Sequence, residues 1–290
     1  MSMNFAAAGS AAPTSADTAA PARSPGYRAY LASLRRDTWI VQGWQLGLVA
    51  LFFALWEIGP RMGWITPMLT SYPSAIAGTL MKMTSDGSLV LHTWVTLKEI
   101  LVGFAGGMAL GTLLAVALWW SPMVYRIADP FIVVLNALPK IALVPIFYIW
   151  LGDMASIYAM AIAVSLFVTV LMLFTGFQAI DPDKVRLVRL FGASQVQVLT
   201  KIVLPGSVPT MISTLKVNVG LALVGVIVGE FQAAKAGLGY LITYGSQIFQ
   251  MNLVMTSIFV LAVISTLLFA LIQSVEATVL RRYGSGPSGT

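Results

Sequence analysis

The chain has 290 residues, of which 58% are hydrophobic and 10% charged, and its mean hydropathy is +0.85. Soluble domains carry about 25% charged residues, so this composition excludes an ordinary soluble protein and indicates a polytopic membrane protein; the net charge of +6 does not indicate nucleic acid, because the basic residues lie beside apolar spans and not on a soluble face. The lack of cysteine removes disulfides, thiolate metal sites and cysteine nucleophiles.

Residues 1–26 are rich in Ala, Ser, Pro and Thr without an apolar period, and the stretch 1–38 reads as a disordered tail. The first basic residue is Arg23, too far along for a cleaved signal peptide. Six apolar spans follow, at about 40–59, 96–120, 127–151, 156–180, 208–231 and 253–275. Each meets the roughly 20 residues needed to cross a bilayer, and the longer ones can tilt. In the second span Gly103, Gly107 and Gly111 recur every fourth residue, a spacing that lets helices approach closely.

The third span is interrupted by Pro139 and Pro145 around Lys140. Proline removes a donor and clashes with the preceding turn, so a kink or break is expected. A broken backbone in a membrane must be covered by protein or line a water-filled path; the break marks either a pathway-lining helix or a kinked structural one. Asn136 and Lys140 flank it. They either offer hydrogen bonds and positive charge to an anion in transit or satisfy the carbonyls that the prolines free.

Basic residues orient the chain. With both termini inside, eleven cationic residues fall on the inner side and four on the outer, with Lys140 and Lys216 within spans. This puts the segment 181–205, with Lys184, Arg186, Arg189 and Lys201, in the cytoplasm together with the ends, including the tail 281–290. The outer side keeps one sizeable loop, about 60–95, and a second near 232–252 that contains the interfacial or re-entrant GLGYLI. Neither can fold into a substrate-capturing domain. The single histidine, His92, reads as an interfacial polar residue.

The 181–205 segment is the most informative part of the chain. Asp181-Pro182-Asp183 is a helix start. Val185, Val188 and Phe191 share one face, and Gly192 suits a left-handed stop. Ser194 with Gln197 forms a capping-box pattern for a second helix, whose apolar face is Val196, Leu199 and Val203 and which ends at Leu204-Pro205. Two short amphipathic helices around a glycine corner, on the inner side of a membrane protein, read as a docking device.

Gly192, nine residues and then Ile202-Val203-Leu204-Pro205 resembles the G-x9-I-x-L-P part of the "EAA" loop of permease subunits in binding-protein-dependent ABC importers. GASQVQVLTKIVLPGSVPTMISTLKVNVG (Gly192 to Gly220), VGE (Val228 to Glu230), GLGYLI (Gly237 to Ile242) and LNALPKIALVPIFYIWLG (Leu135 to Gly152) are similar to the nitrate/sulfonate/taurine/bicarbonate group, over about 90–280. The resemblance implies an all-α, six-span, type I importer-like permease domain over 90–280, in a bacterial inner membrane. It implies a second permease copy, two cytoplasmic ATPases that hold the ATP and Mg, an extracytoplasmic solute-binding protein and lipid as partners, with no cofactor or metal in this chain. The 181–205 loop would couple the spans to the ATPases, with Arg186, Arg189, Gly192, Ala193, Ser194, Leu204 and Pro205 at that contact. The chain departs from the family where Arg186-Leu187-Val188 replaces Glu-Ala-Ala, so no salt bridge of that Glu carries over.

Glu230, near the outer end of the fifth span, is either a gate or subunit-interface residue or an interfacial acid that reaches water. Asn218 and Lys216 begin that span as inner-interface anchors, with Lys216 also a candidate for the docking surface. No HExxH, GxSxG, GxxxxGK[ST] or pair of intramembrane acids is expected, so neither catalysis nor ATP binding is assigned to this chain. The alternative function, an ion-coupled secondary transporter, would require titratable groups at midplane and inverted repeats. A membrane enzyme or scaffold would require a catalytic cluster or a soluble domain.

Overall fold

The computed structural model describes residues 25–282, which are helical throughout apart from short connections, with no strand among them. In chain order the helices are α1 (Pro25–Arg61), α2 (Pro67–Thr70), α3 (Pro73–Ser85), α4 (Ser88–Trp120), α5 (Pro122–Ala137), α6 (Val144–Leu151), α7 (Asp153–Gln178), α8 (Pro182–Leu190), α9 (Gln195–Val198), α10 (Leu204–Gly206), α11 (Val208–Ala233), α12 (Leu238–Gln247) and α13 (Met251–Arg282). A 3-10 turn, Lys140–Leu143, precedes α6, and a π-helical turn, Leu199–Val203, joins α9 to α10.

Two compact units are present. The first, ending at Leu55, contains most of α1, whose side chains from Asp37 to Leu55 are exposed. The helix begins at Pro25, so the part of the expected tail from 25 to 38 is helical; Ala, Leu and Arg there favour helix without needing an apolar period. Residues 1–24 and 283–290 of the two expected tails lie outside the described residues.

The second unit, from Trp56 on, contains the remaining spans. Among the described residues five helices, α1 included, are long and apolar enough to cross a membrane, and α5 with α6 makes a further pair bent by 88°. The register of α4 on α7 shows how that pair runs. A Cβ on Gly103 would meet Ala161, one on Gly107 would meet Ser165 and one on Gly111 would meet Thr169. Residue numbers rise together on both helices, so α4 and α7 are parallel. Two parallel spans joined by α5 and α6 require the intervening chain to return across the membrane, which makes the bent pair one broken span and completes six. The glycine stripe expected to pack helices does so, against α7. Gly225 and Gly229 of α11 lie against Ala161 and Ile157 of α7 with the numbering running in opposite senses, so α11 is antiparallel to α7.

The break has a definite anatomy. Pro139 follows the end of α5 in extended conformation, whereas Pro145 occupies the first turn of α6, where its missing N–H costs nothing. Pro139 therefore breaks the span and Pro145 restarts it. The outer segment expected as a loop over 60–95 is largely helical: α2 and α3 fill it, and α4 starts at Ser88 and not at 96.

A buried apolar cluster closes the bundle where α4 and α7 finish: Ala115 and Leu118 of α4, Val170, Leu173, Phe174 and Phe177 of α7, and Val198, Leu199 and Val203 of the 181–205 segment. Leu113, Leu267 and Leu271 are left exposed on the spans, as lipid-facing positions must be.

Candidate functional site

The 181–205 segment forms an elbow seated on that cluster. The Asp181 carboxylate accepts the Asp183 N–H at 2.9 Å and caps α8. Arg186 lies 3.4 Å from Asp183 with both side chains exposed, a weak pair. Gly192 has φ +83°, and the Ala193 N–H returns to the Val188 carbonyl at 3.1 Å, a 6→1 bond that closes α8 in a Schellman turn. The Ser194–Gln197 capping box is complete, with the Ser194 N–H donating to Gln197 at 2.8 Å. The Gln195 amide donates to the Trp120 carbonyl at 2.7 Å, fixing the second arm beneath the inner end of α4.

The faces of the elbow differ from the sequence expectation. Val185 and Val188 pack on the inner cluster, but Phe191 does not. The glycine turn swings Phe191 outward to 82% exposure, beside Leu190 at 85% and Leu187 at 54%. In the second arm Val198, Leu199 and Val203 are buried while Val196 is exposed. The second arm also does not end at Leu204-Pro205. The π-helical turn lets the Leu204 N–H reach the Leu199 carbonyl, and the extra residue makes room for the Pro205 ring, so helix continues to Gly206.

Arg186, Arg189 and Gln195 line a cavity of about 520 Å³ with Trp119 and Trp120. Gly192, Ala193 and Phe191 line another of about 380 Å³ with Lys201. Leu204 is half-buried and Pro205 exposed at the foot of the elbow.

At the broken span, Lys140 Nζ donates to the Asn136 carbonyl at 2.8 Å and lies 5.7 Å from the Phe167 ring centroid. The break leaves that carbonyl without its helical partner, and Lys140 satisfies it. Asn136 and Lys140 are half-buried, Pro139 and Pro145 exposed. Asn218 is buried and not at an interface: its Nδ2 donates to Thr169 Oγ1 at 2.7 Å, linking α11 to α7. Lys216 pairs with Glu276 of α13 at 2.7 Å.

Glu230 does not reach water. It is 1% exposed, and its carboxylate accepts Thr96 Oγ1 at 2.7 Å and the Gly239 N–H at 2.5 Å. Sequence reasoning missed its neighbour. Glu99 of α4 is 2% exposed and its carboxyl meets that of Glu230, so the chain does hold a pair of intramembrane acids. The available signal was an acid inside the apolar period of TLKEILVGF. Among the described residues no group of three or more His, Asp or Glu could hold a metal ion.

A parallel α4–α7 pair with α11 antiparallel to α7, a broken span between α4 and α7, and an elbow between α7 and α11 define the fold of an importer-type permease. The chain belongs to the family described as "Binding-protein-dependent transport system inner membrane component", whose model matches residues 107–284. It is 29% identical over 231 residues to the formylaminopyrimidine transport permease protein ThiX of Halalkalibacterium halodurans, covering 79% of this chain and 92% of that one. It is 25% identical over 229 residues to the taurine transport system permease protein TauC of Escherichia coli, covering 77% and 83%. Among solved structures, the inward-facing MetNI methionine ABC transporter matches with a TM-score of 0.58 at 18% identity, covering 69% of this chain and 97% of that one, a likeness of fold. The chain is thus a multi-pass inner-membrane permease subunit with relatives in the sulfonate/taurine-type importer group.

Proposed function

We propose that this permease, paired with a second copy of itself, forms the translocation pathway for a small anionic solute and is driven by two cytoplasmic ABC ATPases that dock on the 181–205 elbow. The carrying observation is the two-sidedness of that elbow. Val185, Val188, Val198 and Val203 fasten it to the ends of α4 and α7, while Leu187, Leu190 and Phe191 stand exposed among the described residues. Burying such side chains in a partner is worth about 1.5–3 kcal/mol each before ordering costs, enough to hold a motor subunit and transmit its movement. The outward face is the solvent side of α8, with both termini of the chain in the cytoplasm. ATP and Mg belong to the ATPases, and solute capture belongs to an extracytoplasmic binding protein.

The anionic character of the solute rests on the resemblance to the nitrate/sulfonate/taurine group and on Lys140 at the broken span. Asn136 and Lys140 lie where the pathway-lining backbone opens, and Lys140 keeps donors beyond the one given to the Asn136 carbonyl. Pro139 and Pro145 shape that opening. The test replaces Leu187, Leu190 and Phe191 together by serine in a chain co-expressed with its ATPase. The ATPase no longer co-purifies while the chain still inserts; undiminished co-purification refutes the docking face.

A further inference from the structure

The outer end of the bundle contains a device that docking at the inner elbow does not use. Three consecutive backbone N–H groups open α12, and each finds an acceptor on a span. The Gly237 N–H donates to His92 Nδ1 at 3.0 Å, the Leu238 N–H to Thr96 Oγ1 at 2.8 Å and the Gly239 N–H to Glu230 at 2.5 Å. The Thr96 hydroxyl itself donates a hydrogen bond to Glu230. Glu230 thus receives two donors at the positive end of a ten-residue helix, the setting of a carboxylate. The fit is close: a Cβ on Gly237 or Gly239 would fall within 2.5 to 2.7 Å of Glu230.

Glu99 has the opposite surroundings. Its carboxyl faces that of Glu230, and its Oε2 is buried with no donor from the protein. Two facing carboxylates, both acceptors only, cannot bond; one proton between them makes the contact a short O–H···O. The charged and titratable groups around the pair do not supply a substitute. On α4, Lys98 is exposed and His92 already accepts from Gly237. On α7, Asp153 pairs with Lys235 of the 234–237 connection, and Tyr158 is half-buried. On α12, Tyr240 stacks against His92 and Tyr244.

We propose that Glu99 and Glu230 form a proton-binding site at the outer end of the bundle, in which the Glu99 acid donates to the Glu230 carboxylate and so latches the Gly237–Gly239 turn to α4 and α11. Glu99 also lines a cavity of about 310 Å³ beside the Asp153–Lys235 pair, which gives the proton a way to the outer surface. Loss of the proton sets two negative charges against each other in an apolar surround, and the turn separates from α4.

The test is infrared difference spectroscopy on the full chain in lipid nanodiscs. The chain has four glutamates. Glu57 is paired with Arg61 and Glu276 with Lys216, so a protonated-carboxyl stretch that moves on ¹³C-glutamate labelling reports the Glu99–Glu230 pair. The band is present at neutral pH, disappears on alkaline titration, and is lost in Glu99→Gln. In the same pH series, protection of the Gly239 amide against hydrogen exchange falls by about tenfold or more beyond intrinsic base catalysis, whereas Glu99→Gln, whose amide still donates, shows no such fall. Absence of a labelled acid band in the unsubstituted protein overturns the proposal without any variant. So does a band that persists in Glu99→Gln, or protection that follows sodium concentration and not pH, which would mean a metal cation joins the carboxylates.

Discussion

Replacing Gly192 isolates the geometry of the elbow from its contacts. The residue has φ +83°, and a Cβ built there meets nothing within 4 Å. Any penalty therefore comes from backbone conformation and not from crowding. An L-residue held left-handed costs about 1–2 kcal/mol, and a β-branched one falls at or beyond the upper end. At 1.4 kcal/mol per factor of ten, Gly192→Ala is expected to weaken ATPase docking about fivefold and Gly192→Val about thirtyfold. Asparagine tolerates this region, so Gly192→Asn stays near the unsubstituted level. The assay is solute uptake and ATP hydrolysis measured together in proteoliposomes that hold the full complex. Uptake per ATP falls in the order Gly, Asn, Ala, Val, with the quantity of inserted chain unchanged. A Val variant that transports normally, or an Asn variant as impaired as Val, would refute the claim that this corner must close left-handed.

Gly225→Ala tests the helix packing: its Cβ would lie 2.6 Å from the Ala161 backbone, so α7 and α11 must part and thermal stability in detergent falls, by about 1–3 kcal/mol; an unchanged melting temperature contradicts the close approach. Asp86, fully exposed before α4, is held below the usual carboxylate range by hydrogen bonds with the Ser88 side chain and amide. Because its folded-state pKa is depressed, its contribution is complete above the ordinary carboxylate value and is lost as the pH falls through the depressed one. Acidification should therefore speed exchange of the Ser88 amide, and Asp86→Asn, which still accepts, should remove that acid dependence.

The architecture was legible because hydropathy, glycine spacing and capping are local signals. The Gly103, Gly107 and Gly111 stripe foretold a close helix contact, and Ser194 with Gln197 foretold a capped second arm; both are present. What was not legible depends on chain direction after a turn or on distant pairing. Phe191 falls on the Val185–Val188 face of an ideal helix, but the left-handed glycine redirects it. Leu204-Pro205 looks like an ending because proline ends α-helices, and the π-helical turn removes the conflict. Glu230 read as either a gate or an interfacial acid and Glu99 drew no assignment, since their pairing joins segments 131 residues apart in sequence, as does the Thr96 bond to Glu230 at a separation of 134.

Docking as proposed requires the elbow to face the cytoplasm and to meet the ATPase with its apolar edge. The chain has no cysteine, so Leu190→Cys introduces a single thiol at its most exposed point. A membrane-impermeant maleimide should label that thiol in inside-out vesicles stripped of ATPase, fail to label it in right-side-out vesicles, and label it far more slowly once the ATPase is rebound. Labelling from the outer side, or labelling unaffected by the bound ATPase, would contradict the account.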